Sequence, residues 1–426
     1  MNCHLNADKI KNVTGIVTEF NPLHAGHVRL FREIRRILGA DTAIICAMSG
    51  DFVQRGDMAV IRRQARAEAA IFSGADLVIE LPLPWAVSSA ERFAEGGVSL
   101  LLATGLIDTL AFGSESGDLS AIRKAAALMP RDNFQAALRD ALSAGISYPA
   151  ARQRALEKLS DEKTADILSR PNDLLGVEYC KAILKYNNNF NININILPVR
   201  RDSFHDQTGS ASEIRALLRT KDAKNHDAAL NLMAPAMREY YLREEAAGRA
   251  PVFYETLERA ILARLKSMTR DEFALYDAGH EGLYNRLYQA VQESISIQEI
   301  LERAKTKRYP MARLRRMILH ACLNLPQNPR FSTDCHENAN NNIKIPFIRP
   351  LAMNRTGRIL LARMRKTAKI LILSKIGDIK KLNPEAQVIL KQEIKAANLY
   401  ALAFPDFKSQ DAKNLMLTQP PKFLDM

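Results

Sequence analysis

Short runs of β-branched and other apolar residues alternate, up to about residue 215, with stretches whose apolar positions recur every three or four residues. Val13–Phe20 reads as a strand and His27–Leu38 as a helix; Thr42–Ala47 is a second strand, and Ile61–Ser73 a helix stopping at Gly74. Leu77–Leu81 follows as a third strand, Ser88–Ala103 as a helix ending near Gly105, and Thr109–Gly113 as a fourth strand. Alternation with connections this short predicts an α/β fold, a Rossmann-like parallel sheet with helices on both faces. From Asp222 onward the helical period dominates, in Phe253–Lys266, Gly282–Ala304 and Ala312–Leu323. The pattern therefore divides the chain into an α/β domain at 13–220 and a mainly α-helical domain at 221–426. The Asn-rich stretches 187–195 and 338–342 read as polar loop insertions.

Composition narrows the class. Hydrophobic residues make up 47% and charged residues 25%, which is ordinary for a soluble globular chain with room for two or three cores. No run of about 18 uncharged apolar residues occurs, and the first twelve residues are polar, so neither a spanning helix nor a secretory leader is expected. The cytoplasm is the expected compartment, with no membrane and no protein partner implied. Cys3, Cys46, Cys180, Cys322 and Cys335 are scattered without a C-x-x-C, which argues against a disulfide framework. His320/Cys322 and Cys335/His336 match no zinc spacing, so no protein-bound metal is expected there.

The net charge of +13 is unevenly spread. RAKTKRYPMARLRR (303–316) carries seven basic residues and no acid, and RTGRILLARMRKTAK (355–369) carries six and no acid. Both are interleaved with apolar residues, as basic amphipathic helices are. A solvated helix face would look the same, but two acid-free segments in one half favour a polyanionic partner, nucleic acid ahead of membrane.

The chemistry concentrates where the first strand ends, at Asn21-Pro-Leu-His-Ala-Gly-His27. A helix N-terminus there offers unpaired amides and a favourable dipole to a phosphate. Gly26 permits close approach, and His24 and His27, at i and i+3, supply donors from one face of the first turn. The two other common phosphate devices are missing: Gly-Lys occurs nowhere, and no G-x-G-x-x-G follows the first strand.

TEFNPLHAGH, AMSGDFVQRGDMAV (47–60), GADLVIELPLPWAVSSAERFA (74–94) and FGSE (112–115) together resemble the bacterial tRNA(Met) cytidine acetate ligases, a family of HIGH-type nucleotidyltransferases. RPNDLLGVEY (170–179), PVRR (198–201), SASEIR (210–215), KRYPMARLRR (307–316) and RPLAMNRTGR (349–358) extend the resemblance in the family's order. The chain departs at Asp173, where a second Asn is usual, and at Leu23, where Phe is common. The resemblance implies a two-step, AMP-forming reaction. Acetate attacks the α-phosphate of ATP, and the acetyl group passes to the wobble cytidine of elongator methionine tRNA, giving N(4)-acetylcytidine.

Carried onto this chain, the resemblance assigns ATP, with Mg, to Val17, Thr18, Glu19, Phe20, Asn21, Pro22, Leu23, His24, Ala25, Gly26, His27, Val28, Arg29 and Leu30, with His24 and His27 catalytic. Gly113, Asn172, Arg200, Arg201, Ser212 and Arg215 join them. Each has a plainer reading: a turn glycine at 113, a helix cap at 172, surface arginines at 200 and 201, a capping box in SASEIR. Arg55 is the candidate for acetate, or else a solvent-facing loop residue, while Glu80 and Glu91 read as structural. Arg308, Arg313, Arg315, Arg316, Arg358, Arg363 and Arg365 are the candidate tRNA contacts. Two other functions stay open: a small-molecule adenylyltransferase, and a non-catalytic RNA-binding protein that keeps a nucleotide fold.

Overall fold

The computed structural model describes residues 10–190, 193–201, 209–220, 222–277, 282–327, 345–408 and 420–425. Strand β1 (Asn12–Thr18) leads to helix α1 (Ala25–Leu38), β2 (Thr42–Ser49), and a hairpin of β3 (Phe52–Val53) and β4 (Asp57–Met58). Helix α2 (Arg63–Phe72), β5 (Leu77–Leu81), α3 (Ala90–Ala103) and β6 (Thr109–Ser114) follow, then α4 (Pro171–Phe190), β7 (Asn195–Arg200) and α5 (Ala211–Arg219). The second half includes α6 (Met311–Leu323), β8 (Pro350–Met353), α7 (Arg355–Thr367), α8 (Pro384–Ala401) and β9 (Lys422–Phe423).

The main sheet has the order β7-β6-β1-β2-β5-β8-β9. The first five strands are parallel, with Ile16 opposite Cys46 and Met48 opposite Glu80. Alternate side chains feed two cores. Val13, Val17, Ile45 and Ile79 pack with Phe93 and Val98 of α3 and Val177 of α4. Ile16, Ile44, Met48 and Val78 face the other way, onto Phe31 and Ile34 of α1 and Ala67 and Ala70 of α2. Burial on both faces explains why these strands read as nearly continuous apolar runs.

The second half is mainly helical, with its own core around Phe273, Leu287, Ile300, Leu314 and Met317. It does not stay apart from the sheet. β8 pairs antiparallel with β5, and β9 pairs with β8. Neither was legible: β8 is four residues that open on proline, and β9 is two. A further apolar cluster joins Phe52 and Met58 of the hairpin to Leu319 and Leu323 of α6 and Tyr400 of α8.

Several boundaries differ from expectation. The stretch expected as one helix over 282–304 is two, Leu283–Glu293 and Ile297–Ala304, because the Ser296 hydroxyl accepts the Glu299 N–H and starts the second. The helix expected from Phe253 begins as a 3₁₀ turn, Tyr254–Leu257. The Asn-rich stretch is not wholly a loop, since α4 continues through Asn187–Asn189 to Phe190. Residues 338–342, Cys335 and His336 lie outside the described residues. Among the described residues no helix is long and apolar enough to cross a membrane, and no group of three or more potential ligands gathers for a metal.

Helix α7 runs along the amino-terminal edge of the parallel strands. At one end a Cβ on Gly357 would fall 1.9 Å from the Asp76 carbonyl oxygen, just before β5. At the other, Thr367 Oγ1 donates to the Thr104 carbonyl at 2.8 Å, just after α3.

Candidate active site

β1, β6 and β7 end together at the carboxyl edge of the sheet, the edge where open α/β sheets bind ligands. A cleft of about 810 Å³ opens there. It gathers Val17, Thr18, Glu19, Phe20, Asn21, His24, Gly26, His27, Arg29 and Leu30 with Gly113, Asn172, Arg200, Arg201, Ser212, Arg215 and Arg55. The expected run 17–30 is nevertheless split. Pro22, Leu23, Ala25 and Val28 are not among the lining residues. Leu23 is fully buried, and its carbonyl accepts the Ala234 N–H at 3.2 Å, which braces the loop against the second half.

The two histidines cap α1 reciprocally. His24 Nδ1 accepts the Gly26 N–H at 3.1 Å, and His27 Nδ1 accepts the His24 N–H at 3.2 Å. Helix α1 therefore starts at Ala25, two residues earlier than the apolar pattern placed it. Burial, with Arg201 nearby, lowers His24 to about 4. Burial, His24 and Arg201 hold His27 well below its usual value. Both rings are thus neutral near pH 7, and with Nδ1 accepting, each carries its proton on Nε2. Neither Nε2 has a partner among the described residues, so the cleft receives two neutral N–H donors. Gly26 has a different immediate role from the one expected: a Cβ there would fall 2.8 Å from the His24 ring, so its bareness admits the capping imidazole.

The loop is fixed from beneath. Asn21 Oδ1 accepts the Val60 N–H at 2.8 Å, and its carbonyl accepts Arg215 Nη1 at 2.5 Å. Phe20 has φ 47°, a left-handed conformation that a bulky residue adopts only under constraint. The constraint is its buried ring, edge-on to His27 at 5.1 Å and to Phe31 at 6.0 Å. Arg66, fully buried, donates to the carbonyls of Ile61, Glu19, Ser49 and Gly50, tying together the ends of β1 and β2.

Ser210 and Glu213 form the expected capping box at α5, and Arg215 Nη2 also donates to Ser212 Oγ at 3.3 Å. The cap reading of Asn172 does not hold. Glu115 caps α4 by accepting the N–H groups of Asn172 and Asp173, and it also accepts Asn172 Nδ2 at 2.6 Å. Asp173 is fully buried, accepting from the Ser114 hydroxyl and the Ser116 N–H, so it braces the wall of the cleft. Arg55, at the hairpin turn, is exposed; it makes no hydrogen bond or ion pair with a described residue, though its charge is felt at Glu19. Glu80 is structural, held between Arg63 and Arg349. Glu91 pairs with Lys181.

The two basic runs separate. Arg315 lines the cleft, and Arg308 is exposed beside Tyr309. Arg313 pairs with Asp277 at 3.5 Å. Arg316 is committed elsewhere: its Nη1 donates to the Gln54 carbonyl at 3.2 Å, and burial, then Arg313, lowers it to about 10. In this geometry Arg316 holds the hairpin and does not offer itself to a phosphate. Arg358, Arg363 and Arg365 ride on α7, at the opposite edge of the sheet, with Arg358 stacked over Phe423 at 5.4 Å.

Arg219, Phe93, Phe112 and Tyr179 also line the cleft and were not anticipated, and Arg315, expected as a tRNA contact, lines it too. Arg219 stacks over Phe253 at 4.4 Å and reaches Asp57 at 3.3 Å. No local signal marks it, since its partners come from elements 34 and 162 residues away in sequence. Counting both sets, Arg29, Arg55, Arg200, Arg201, Arg215, Arg219 and Arg315 face Glu19, Glu33 and Asp57, an excess of cation suited to polyphosphate.

A family model described as HIGH Nucleotidyl Transferase matches residues 11–414. The tRNA(Met) cytidine acetate ligase of Acetivibrio thermocellus is 33% identical over 407 residues, covering 92% of this chain and 95% of the relative. That of Caldicellulosiruptor saccharolyticus is 34% identical over 403 residues, covering 92% and 94%. The crystal structure of Thermotoga maritima TmcAL bound with alpha-thio ATP superposes with a TM-score of 0.87 at 30% identity, covering 97% of this chain and all of that one. With sequence and fold agreeing over nearly the whole length, the chain belongs to the tRNA(Met) cytidine acetate ligase family of HIGH nucleotidyl transferases.

Proposed function

We infer that the protein is an ATP-dependent, AMP-forming ligase that activates acetate as acetyl-adenylate and transfers acetyl to the wobble cytidine of elongator tRNA(Met), making N(4)-acetylcytidine. The observation that carries this reading is the pair of neutral Nε2–H donors, His24 and His27, held over an arginine-rich cleft by their own reciprocal cap.

As acetate attacks the α-phosphorus, negative charge grows on its nonbridging oxygens, and donors preorganised for that charge lower the barrier. His24 and His27 take this part, with Arg200 and Arg201 beside them. Ser212 and Arg215, at the start of α5, suit the β- and γ-phosphates. Gly113 leaves the nucleotide room at the end of β6, and Asn172, with its amide nitrogen on Glu115, offers Oδ1. The exposed Arg55 suits the acetate carboxylate. The isolated carboxylates of the cleft fit Mg²⁺ carried on the nucleotide phosphates better than Mg²⁺ in a protein cage, and bound there it neutralises phosphate charge.

In this reading residues 13–220 hold the reaction and 221–426 hold most of the tRNA. Arg315 lines the cleft, and Arg308 and Arg313 lie on the same basic run, beside Tyr309. Arg358, Arg363 and Arg365 form a second, remote contact. The compartment is the cytoplasm. A plain adenylyltransferase has no use for the basic helical half, and a non-catalytic RNA-binding protein has none for two preorganised N–H donors. The test is incubation with labelled acetate, ATP and total tRNA. The expected products are AMP, pyrophosphate and label in methionine tRNA; ADP with inorganic phosphate, or a need for acetyl-coenzyme A, would overturn the ligase reading.

A further inference from the structure

The second half-reaction needs a base. The exocyclic amine of cytidine is a poor nucleophile whose nitrogen must lose a proton as it bonds to the acyl carbon. The candidates in the cleft can be taken in turn. The histidines present N–H, not a lone pair, because each Nδ1 is tied to a backbone amide. Asp57 accepts the Met58 N–H at 2.8 Å and faces Arg219 at 3.3 Å. Glu33 pairs with Arg36 at 2.9 Å on the exposed side of α1.

Glu19 is different. Its Oε1 accepts the Gln54 N–H at 2.6 Å, which fixes the carboxylate against the hairpin turn that carries Arg55. Its Oε2 has no hydrogen bond or ion pair with any described residue, and the group lines the cleft. Its backbone is also held, since its carbonyl accepts Arg66 Nη1 at 2.5 Å, and the left-handed Phe20 follows directly. A negative charge here opposes the binding of ATP and acetate. It is not needed for the turn either, since a neutral amide oxygen would accept the Gln54 N–H equally well. A carboxylate kept at such a place has a use for its free oxygen.

We propose that Glu19 is the catalytic base of acetyl transfer, its Oε2 taking the proton from the cytidine amine. This role rests on the ligase reading above. In the step, the amine nitrogen bonds to the acyl carbon and the bond from that carbon to the phosphate oxygen of AMP breaks. AMP leaves with the electron pair, and the amine proton passes to Glu19. Burial raises the Glu19 carboxyl above its ordinary value, against the lowering effects of the Gln54 N–H and of Arg215, Arg66 and Arg55, which makes its ionised form the better proton acceptor.

The test separates the two half-reactions in Glu19→Gln, which keeps the contact to Gln54 and removes the base. Acetate-dependent ATP–pyrophosphate exchange reports activation and shows that the variant is folded. Single-turnover transfer from preformed acetyl-adenylate to methionine tRNA reports the second step. Transfer is expected to slow roughly 10²–10⁴-fold, the range for losing a positioned base, a loss at least tenfold greater than any change in exchange. Glu19→Asp, which keeps a carboxylate, is expected to transfer faster than Glu19→Gln. Transfer at the parent rate in Glu19→Gln overturns the role and leaves the leaving phosphate as the proton acceptor. An equal loss in both steps also overturns it and assigns Glu19 to Mg²⁺ or to the turn. A parent that transfers no acetyl group at all overturns the ligase reading, and this role with it.

Discussion

Substitutions at His24 can separate the two jobs of its ring. Nδ1 caps α1 by accepting the Gly26 N–H at 3.1 Å, and Nε2–H faces the cleft. Asparagine places an acceptor close to Nδ1 and nothing at Nε2; glutamine places an amide close to Nε2 and loses the cap. As N-cap, Asn is among the best residues, so His24→Asn should leave stability within a few tenths of a kcal/mol, whereas His24→Ala should lose about 1 kcal/mol. The missing donor should cost activation about 2.7–4 kcal/mol, a hundred- to a thousandfold in rate, as for one oxyanion-hole donor. The assay is acetate-dependent pyrophosphate exchange, paired with thermal unfolding. His24→Asn should melt like the parent and be slow; His24→Gln should melt lower and be the faster of the two. Parent-like exchange by His24→Asn, or activity that merely follows folded fraction, would refute the argument. The pH dependence is a second check. His24 titrates near 4 in the fold, against 6.5 when free, so the unfolded chain binds more protons between those values. Its contribution to stability is therefore present above 6.5 and lost as pH falls toward 4. An exchange rate that rises as pH drops through 6.5 would mean that imidazolium does the work, contrary to the neutral pair argued here.

Other outcomes follow from the same geometry. Arg55→Leu should weaken acetate use by roughly ten- to a hundredfold, the effect of one charge-assisted contact, with ATP binding nearly intact; equal losses for both substrates in initial-rate kinetics would remove Arg55 from the acetate site. Reversing Lys305, Lys307 and Arg308 to Glu should weaken tRNA binding and flatten its salt dependence while sparing exchange. Arg316→Glu should impair exchange as well, because Arg316 holds the Gln54 carbonyl beside Glu19; a salt titration with both assays on both variants decides between an RNA contact and a hairpin brace. Burial and Glu80 push Glu393 up to about 8 from an ordinary 4.5, so the folded chain keeps a proton that the unfolded chain has released. Stability should therefore fall as pH rises between those values, and Glu393→Gln should melt progressively above the parent from pH 5 to pH 9; parallel melting curves across that range would contradict the assignment.

The sequence by itself determined the parallel α/β half and marked the helix start that lies at the cleft. Strands buried on both faces must be apolar along their length, and a helix start of the kind that suits a phosphate follows directly on its strand, so β1, β2, β5, β6 and the His24/His27 pair all leave local signals. SASEIR likewise encodes its own helix cap, because Ser210 and Glu213 are three residues apart. What the sequence could not decide depends on partners far along the chain. Arg316 reads as one more cation in a basic run until α6 is packed on the hairpin and the guanidinium meets Gln54, 262 residues away. The α7 run looks equivalent to that of α6, yet α7 is fastened to the opposite edge of the sheet through Asp76 and Thr104. Glu19 reads as one residue of a nucleotide loop, and only the approach of Gln54, with the other carboxylates already engaged, leaves it the free oxygen in the cleft. Local periodicity reports which face of an element is buried, while only tertiary packing selects which charged groups meet and which are left open to a substrate.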